Sequence, residues 1–159
     1  FLNSVAAVIG QPVKEAMLQR LEEKNRRLKM LLNSPLLSRT PGTVFLKGDY
    51  DTVKGLGAFF KELKFNVAHS VCTHKITGTA AEGIEYFKEE KEYLQLLPAI
   101  RHCLILADED TIAKTDATNL KICVSHPCFS HRTIAKHLPF MGERGADMLF
   151  EYIQQYVNM

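Results

Sequence analysis

Two groups of acids carry the clearest chemical signal in this chain. Asp49 and Asp51 follow the apolar run Thr43-Val44-Phe45-Leu46, and Asp108, Glu109 and Asp110 follow His102-Cys103-Leu104-Ile105-Leu106-Ala107. Carboxylates at the ends of adjacent parallel strands converge on one edge of a sheet. There they offer the hard oxygen ligands that hold Mg²⁺ or Mn²⁺ and stabilise the charge of phosphodiester cleavage. Asp49, Asp51, Asp108 and Asp110 are therefore the catalytic set that a metal-dependent nuclease would use. Acids at strand ends have a plainer role as well: they cap the next helix and suit its positive end. The latter reading needs no further partner and is preferred.

Histidine and cysteine supply a second constellation. Cys123, His126, Cys128 and His131 are zinc-competent types, and His69, Cys72 and His74 form a smaller group. The order Cys-x2-His-x-Cys-x2-His matches no zinc finger or ribbon spacing, and cysteines within strands usually serve as small hydrophobes. Cys128 precedes a helical pattern, a position that favours a thiolate. No Cys-x5-Arg phosphate cradle and no third group to orient a histidine accompany it. The expectation is no resident metal and no cofactor.

Nucleotide-binding signals are negative, since no Gly-x-Gly-x-x-Gly or Gly-x-x-x-x-Gly-Lys-Ser/Thr follows a strand. Arg20, Lys24, Arg26, Arg27 and Lys29 cluster near Glu22 and Glu23. They read as a solvated helix face, with weak contact to RNA or DNA as the sharper alternative.

The elements that must position these residues alternate along the chain. A helical pattern beginning at Gln11-Pro12 runs to about Leu32, with the charged stretch 22–27 facing water. The segment 34–42, holding Pro35, Pro41 and Gly42, reads as a linker between a helical arm (1–33) and the main domain (43–159). Within that domain four strands are expected: Thr43 to Leu46, Phe65 to Cys72, His102 to Ala107 and Leu120 to Val124. Val53, Leu56, Phe59, Phe60 and Leu63 mark a helix after the first strand, with Gly55 and Gly57 packed close to the sheet. Thr79 and Glu82 match a capping box for a helix reaching about Leu97, closed by Pro98. Short helices are expected over 111–118 and 130–137. Ala146, Leu149, Phe150, Ile153 and Val157 stripe the last one. Such alternation specifies an α/β, Rossmann-like domain: a mainly parallel four-stranded sheet flanked by helices, with an extra N-terminal helix.

Composition is that of an ordinary globular protein. The 159 residues carry 20 basic and 18 acidic side chains, and 46% are hydrophobic, so neither a polyanion partner nor a membrane span is demanded. Beginning at Phe1, the chain reads as a piece of a longer protein, and its four cysteines read as reduced thiols of an intracellular one.

Three segments carry a family resemblance. Phe45-Leu46-Lys47-Gly48-Asp49-Tyr50-Asp51, Leu104-Ile105-Leu106-Ala107-Asp108-Glu109-Asp110 and Cys123-Val124-Ser125-His126-Pro127-Cys128 are similar to the TASOR proteins, nuclear scaffolds of the HUSH transposon-silencing complex. Acidic strand ends in this topology also resemble PIN-domain nucleases, and Asp108-x-Asp110 resembles the toprim element. A toprim site wants a glutamate where Lys47-Gly48 stands, and a PIN site wants an aspartate where Ser125-His126 stands. The resemblance thus implies a degenerate, PIN-like module without catalysis. It would act in the nucleus, in heterochromatin silencing, as a protein-interaction scaffold whose partners are other subunits of a silencing assembly.

Overall fold

A computed structural model describes residues 2–33, 42–74, 83–86, 89–124 and 145–151. The chain forms two compact units, Phe1–Arg39 and Thr40–Met159.

The first unit holds α1 (Leu2–Ile9) and α2 (Glu15–Leu32). The helix expected from Gln11 instead begins later, and the Gly10-Gln11-Pro12 sequence ends the helix before it. Gly10 takes a left-handed φ of 65°, and the Gln11 N–H donates to the Ala6 carbonyl at 3.1 Å. That bond, from beyond the helix end to the last turn, is the Schellman stop, and a proline commonly follows it. Glu22, Glu23, Asn25, Arg26 and Arg27 are exposed, as their polar side chains favour.

The second unit is an α/β fold around a sheet of five parallel strands, one more than expected. They are β1 (Thr43–Gly48), β2 (Asn66–Cys72), β3 (Glu85–Tyr86), β4 (Leu104–Ala107) and β5 (Leu120–Cys123), in the order β3-β2-β1-β4-β5. The chain winds outward from β1 to β3, returns to lay β4 on the other side of β1, and winds outward again. Rossmann-like sheets have this arrangement, and the reversal between β1 and β4 is their topological switch point.

The extra strand interrupts the expected helix over 79–97. Among the described residues there, only Glu90–Leu94 (α4) is α-helical, followed by a 3-10 turn, Leu97–Ala99, that contains Pro98. Thr79, Glu82 and Phe87 lie outside the described residues. The short helix expected over 111–118 starts earlier, at α5 (Glu109–Ala113). Pattern alone did not separate β3 from α4, because a two-residue strand is too short to show a period of two.

Alternation of side chains in β1 and β4 sorts the core into two layers. Phe45, Val71, Ile105 and Ala107 face Tyr93 of α4 and Leu97, joined by Ile112 of α5. The opposite face carries α3 (Tyr50–Glu62), which buries Val53, Leu56, Gly57 and Phe60. Phe59 of α3 meets Phe150 of the helical residues 145–151 edge-on, with ring centroids 6.0 Å apart. Gly57 does face the sheet, but a methyl there would meet Leu46 at 3.7 Å and Ser70 at 4.0 Å, ordinary contact distances. Gly55 is exposed, so sheet packing does not account for it.

Candidate functional site

β1 is buried from Val44 to Lys47, and that last residue is a lysine only 8% exposed. Lys47 lies two residues beyond Phe45, so its stem enters the same layer as Tyr93 and Ile105. At the strand's end its ammonium finds acceptors from three elements. Nζ donates to the Tyr93 hydroxyl of α4 at 2.6 Å and to Thr111 Oγ1 of α5 at 2.8 Å. It pairs with Asp108 Oδ2, just past β4, at 2.7 Å. An ammonium has three donors, and all are used.

Asp108 is fixed just as firmly. It is the N-cap of α5, accepting the Thr111 N–H at 2.9 Å on Oδ1 and the Thr111 hydroxyl at 2.8 Å on Oδ2. The Tyr93 hydroxyl in turn donates outward to Glu90 Oε1 at 3.0 Å. One hydrogen-bonded chain, Glu90–Tyr93–Lys47–Asp108–Thr111, thus crosses the switch point between β1 and β4.

Both charges of the central pair are held in place. Burial alone would raise the carboxyl pKa of Asp108, but the bonds from Lys47 and Thr111 and the ammonium's charge outweigh it and leave it lowered. Burial alone would lower the Lys47 pKa, but the bonds to Asp108 and Tyr93 and the attraction of Asp108 leave it raised. Lys47 therefore stays an ammonium and Asp108 a carboxylate at neutral pH. Neither is poised near neutrality, where a general acid or base works best.

The remaining acids of the proposed nuclease set go elsewhere. Asp49 is the N-cap of α3 without a side-chain cap bond; its side chain is 77% exposed and lies 3.6 Å from His74 Nδ1. Asp51 is exposed in the first turn of α3. Asp110 is exposed and pairs with Lys114, one turn along. Of the four, Asp108 alone turns into the switch point, where it meets a cation. Among the described residues no group of three or more His, Cys, Asp and Glu could hold a metal ion.

The zinc constellation is described only at Cys123, which is half-buried at the end of β5; His126, Cys128 and His131 lie outside the described residues. The smaller group is dispersed. His69 pairs with Glu85 at 3.0 Å, His74 stands beside Asp49, and the Cys72 thiol donates to the His74 carbonyl at 3.2 Å. Cys72 and Cys103 are buried free thiols, and burial raises the Cys103 pKa.

A cavity of about 260 Å³ adjoins the ion-pair network on its β2 side. Lys47, Val71, Cys72, Thr73, Tyr86, Glu90 and Tyr93 line it. Sequence reasoning missed Tyr93, Thr111 and Glu90. Thr111 had a legible signal, three residues beyond a capping aspartate. Tyr93 and Glu90 were read as parts of a longer helix, and only the fold brings them to Lys47.

No family model, curated protein or solved structure matches this chain.

Proposed function

We propose that the α/β unit is a non-catalytic interaction module, a degenerate PIN-like domain acting as a scaffold in a nuclear silencing assembly. The observation that carries the non-catalytic part is the Lys47–Asp108 pair at the switch point. In a nuclease of this topology, the carboxyl ends of the two central strands would present carboxylates to a divalent ion. Here a lysine ammonium takes one of those positions and neutralises the carboxylate opposite. A cation bound there would have to displace an ammonium holding three short bonds, with Asp108 as the one acid of the four turned inward. The nuclear and silencing part rests on the sequence resemblance around Lys47, Asp108 and Cys123. Other proteins of such an assembly are the partners it implies, with RNA or DNA a weaker candidate.

Incubation with end-labelled single-stranded RNA and Mn²⁺ tests the catalytic half. The RNA is expected to remain intact. Cleavage that is abolished by Asp108→Asn would replace this reading with the metal-dependent nuclease. Fluorescent tagging of the protein in its own cells tests the other half, with nuclear accumulation expected and exclusion from the nucleus overturning it.

A further inference from the structure

We propose that the cavity beside the ion pair receives an alkylammonium group, in the form of a lysine side chain presented by a protein partner. This rests on the reading of the edge as an interaction surface and names the chemistry the surface recognises. The cavity is built at the carboxyl ends of β1 and β2, with Tyr86 of β3 and the start of α4 completing it. In open parallel sheets ligands bind outside the carboxyl ends of the strands at the switch point, which this cavity adjoins through Lys47.

Its charge favours a cation. Among the described residues, the charged groups that line it are Lys47 and Glu90. Lys47 offers a ligand nothing, because its donors are committed to Tyr93, Thr111 and Asp108 and its charge is met by the Asp108 carboxylate. Glu90 is exposed, and its Oε1 accepts one bond from Tyr93. A carboxylate has room for several more donors. With the Lys47 ammonium offset by Asp108, and Lys114, which also interacts with Glu90, paired to Asp110, the Glu90 carboxylate is the charge left to meet a ligand.

Its surface favours a cation on an apolar stem. Tyr86 is 45% exposed, and it is the one exposed large hydrophobic residue in the α/β unit among those described; the others, Val8, Ile9, Met17, Leu18 and Met30, lie in the helical unit. A phenol ring and a carboxylate lining one cavity suit an ammonium and its methylenes together. At about 260 Å³ the cavity falls below the ~300–1,000 Å³ typical of pockets for drug-sized ligands, which fits one side chain better than a cofactor. A free amine would make few contacts there, whereas a lysine anchored by its own backbone adds those of its neighbours.

The test is a nuclear magnetic resonance titration of the isotope-labelled chain with three probes: butylammonium chloride, sodium butyrate, and a terminally blocked Gly-Gly-Lys-Gly-Gly peptide. Saturable shifts at Val71, Thr73, Tyr86 and Glu90 are expected with the peptide. Butylammonium should give weaker shifts at the same positions, and butyrate none. Glu90→Gln should weaken peptide binding about tenfold and Tyr86→Ala about threefold. Both are exposed substitutions, and signals away from the cavity should stay in place. No saturable shift, or equal affinity in the Glu90→Gln chain, overturns the proposal. Butylammonium binding as tightly as the peptide overturns the assignment to a protein partner. Loss of binding in a chain that leaves RNA intact rejects the cavity assignment alone, whereas RNA cleavage rejects the scaffold reading.

Discussion

Lys47 Nζ lies 2.7 Å from Asp108 Oδ2, tying the carboxyl end of β1 to the first residue beyond β4. Lys47 is the more buried partner, with its side chain 9% exposed against 29% for Asp108. A pair of this kind stabilises little over an apolar substitute of the same shape, because both ions lose water. Removing one member is costly, because the other stays desolvated and unpaired. Lys47→Met should therefore destabilise the domain by about 2–4 kcal/mol in urea unfolding. Adding Asp108→Asn to Lys47→Met should return part of that loss. Strict additivity of the two single losses would show that the pair is not coupled.

The pair also sets a pH dependence. Asp108 has a lowered pKa in the folded chain, so its contribution is fully present above the unfolded value of about 3.9 and is lost as pH falls through the folded one. Lys47 has a raised pKa, so its contribution is fully present below about 10.4 and is lost as pH rises through the folded value. Between those limits the pair contributes no slope. In Lys47→Met the carboxyl of Asp108 is half-buried without its cation, and protonation then relieves the strain. Urea unfolding of both proteins should show the stability gap constant from about pH 6 to 8 and narrowing below about pH 4. A gap that widens in acid would contradict the assigned shift.

Gly57 offers a prediction of opposite sign. It lies inside α3, faces the sheet, and leaves ordinary contact distance for a methyl against Leu46 and Ser70. Gly57→Ala should stabilise the domain by about 0.5–1 kcal/mol, by raising helix propensity and restricting the unfolded chain. An unchanged or lower urea midpoint would mean that the Leu46 side chain cannot accommodate the methyl.

The alternation of apolar strands with helical patterns made the α/β class legible, because buried strands and amphipathic helices write different periods. β3 escaped, since Glu85-Tyr86 is too short to carry one and sits in a stretch rich in helix formers. The acids at the strand ends were legible as strand-end acids. Their destinations were not: whether Asp108 meets a metal, another acid or an ammonium depends on where Lys47, Tyr93 and Thr111 arrive, and those residues are 46 and 64 positions from Lys47 along the chain. The one local clue was Lys47 itself, a cation closing the apolar run Val44-Phe45-Leu46. Asn119 was equally silent. It is 5% exposed, and its side chain accepts the Cys103 N–H at 2.9 Å while donating to the Ile100 carbonyl at 2.9 Å. Nothing in the local pattern around Leu120 announces that link.

The sharpest consequence of the ion pair concerns divalent cations. With Lys47 in place, Asp108 has its charge met, and Mn²⁺ at millimolar concentration should leave the melting temperature of the wild-type chain unchanged. Lys47→Glu removes the ammonium and sets a second carboxylate at the end of the neighbouring strand, opposite Asp108 and beside the Thr111 hydroxyl. Without metal, two half-buried carboxylates repel, and the variant should be less stable than the wild type, as like charges sharing a site require. With Mn²⁺ the same two groups become ligands, and the variant should regain about 1.4 kcal/mol at a metal concentration tenfold above its dissociation constant. Calorimetric melts of both proteins over a Mn²⁺ series read this directly. Equal stabilisation of wild type and variant would mean that metal binds away from the switch point. Stabilisation of the wild type alone would mean that Lys47 does not occupy the cation's place, and the non-catalytic reading of the edge would go with it.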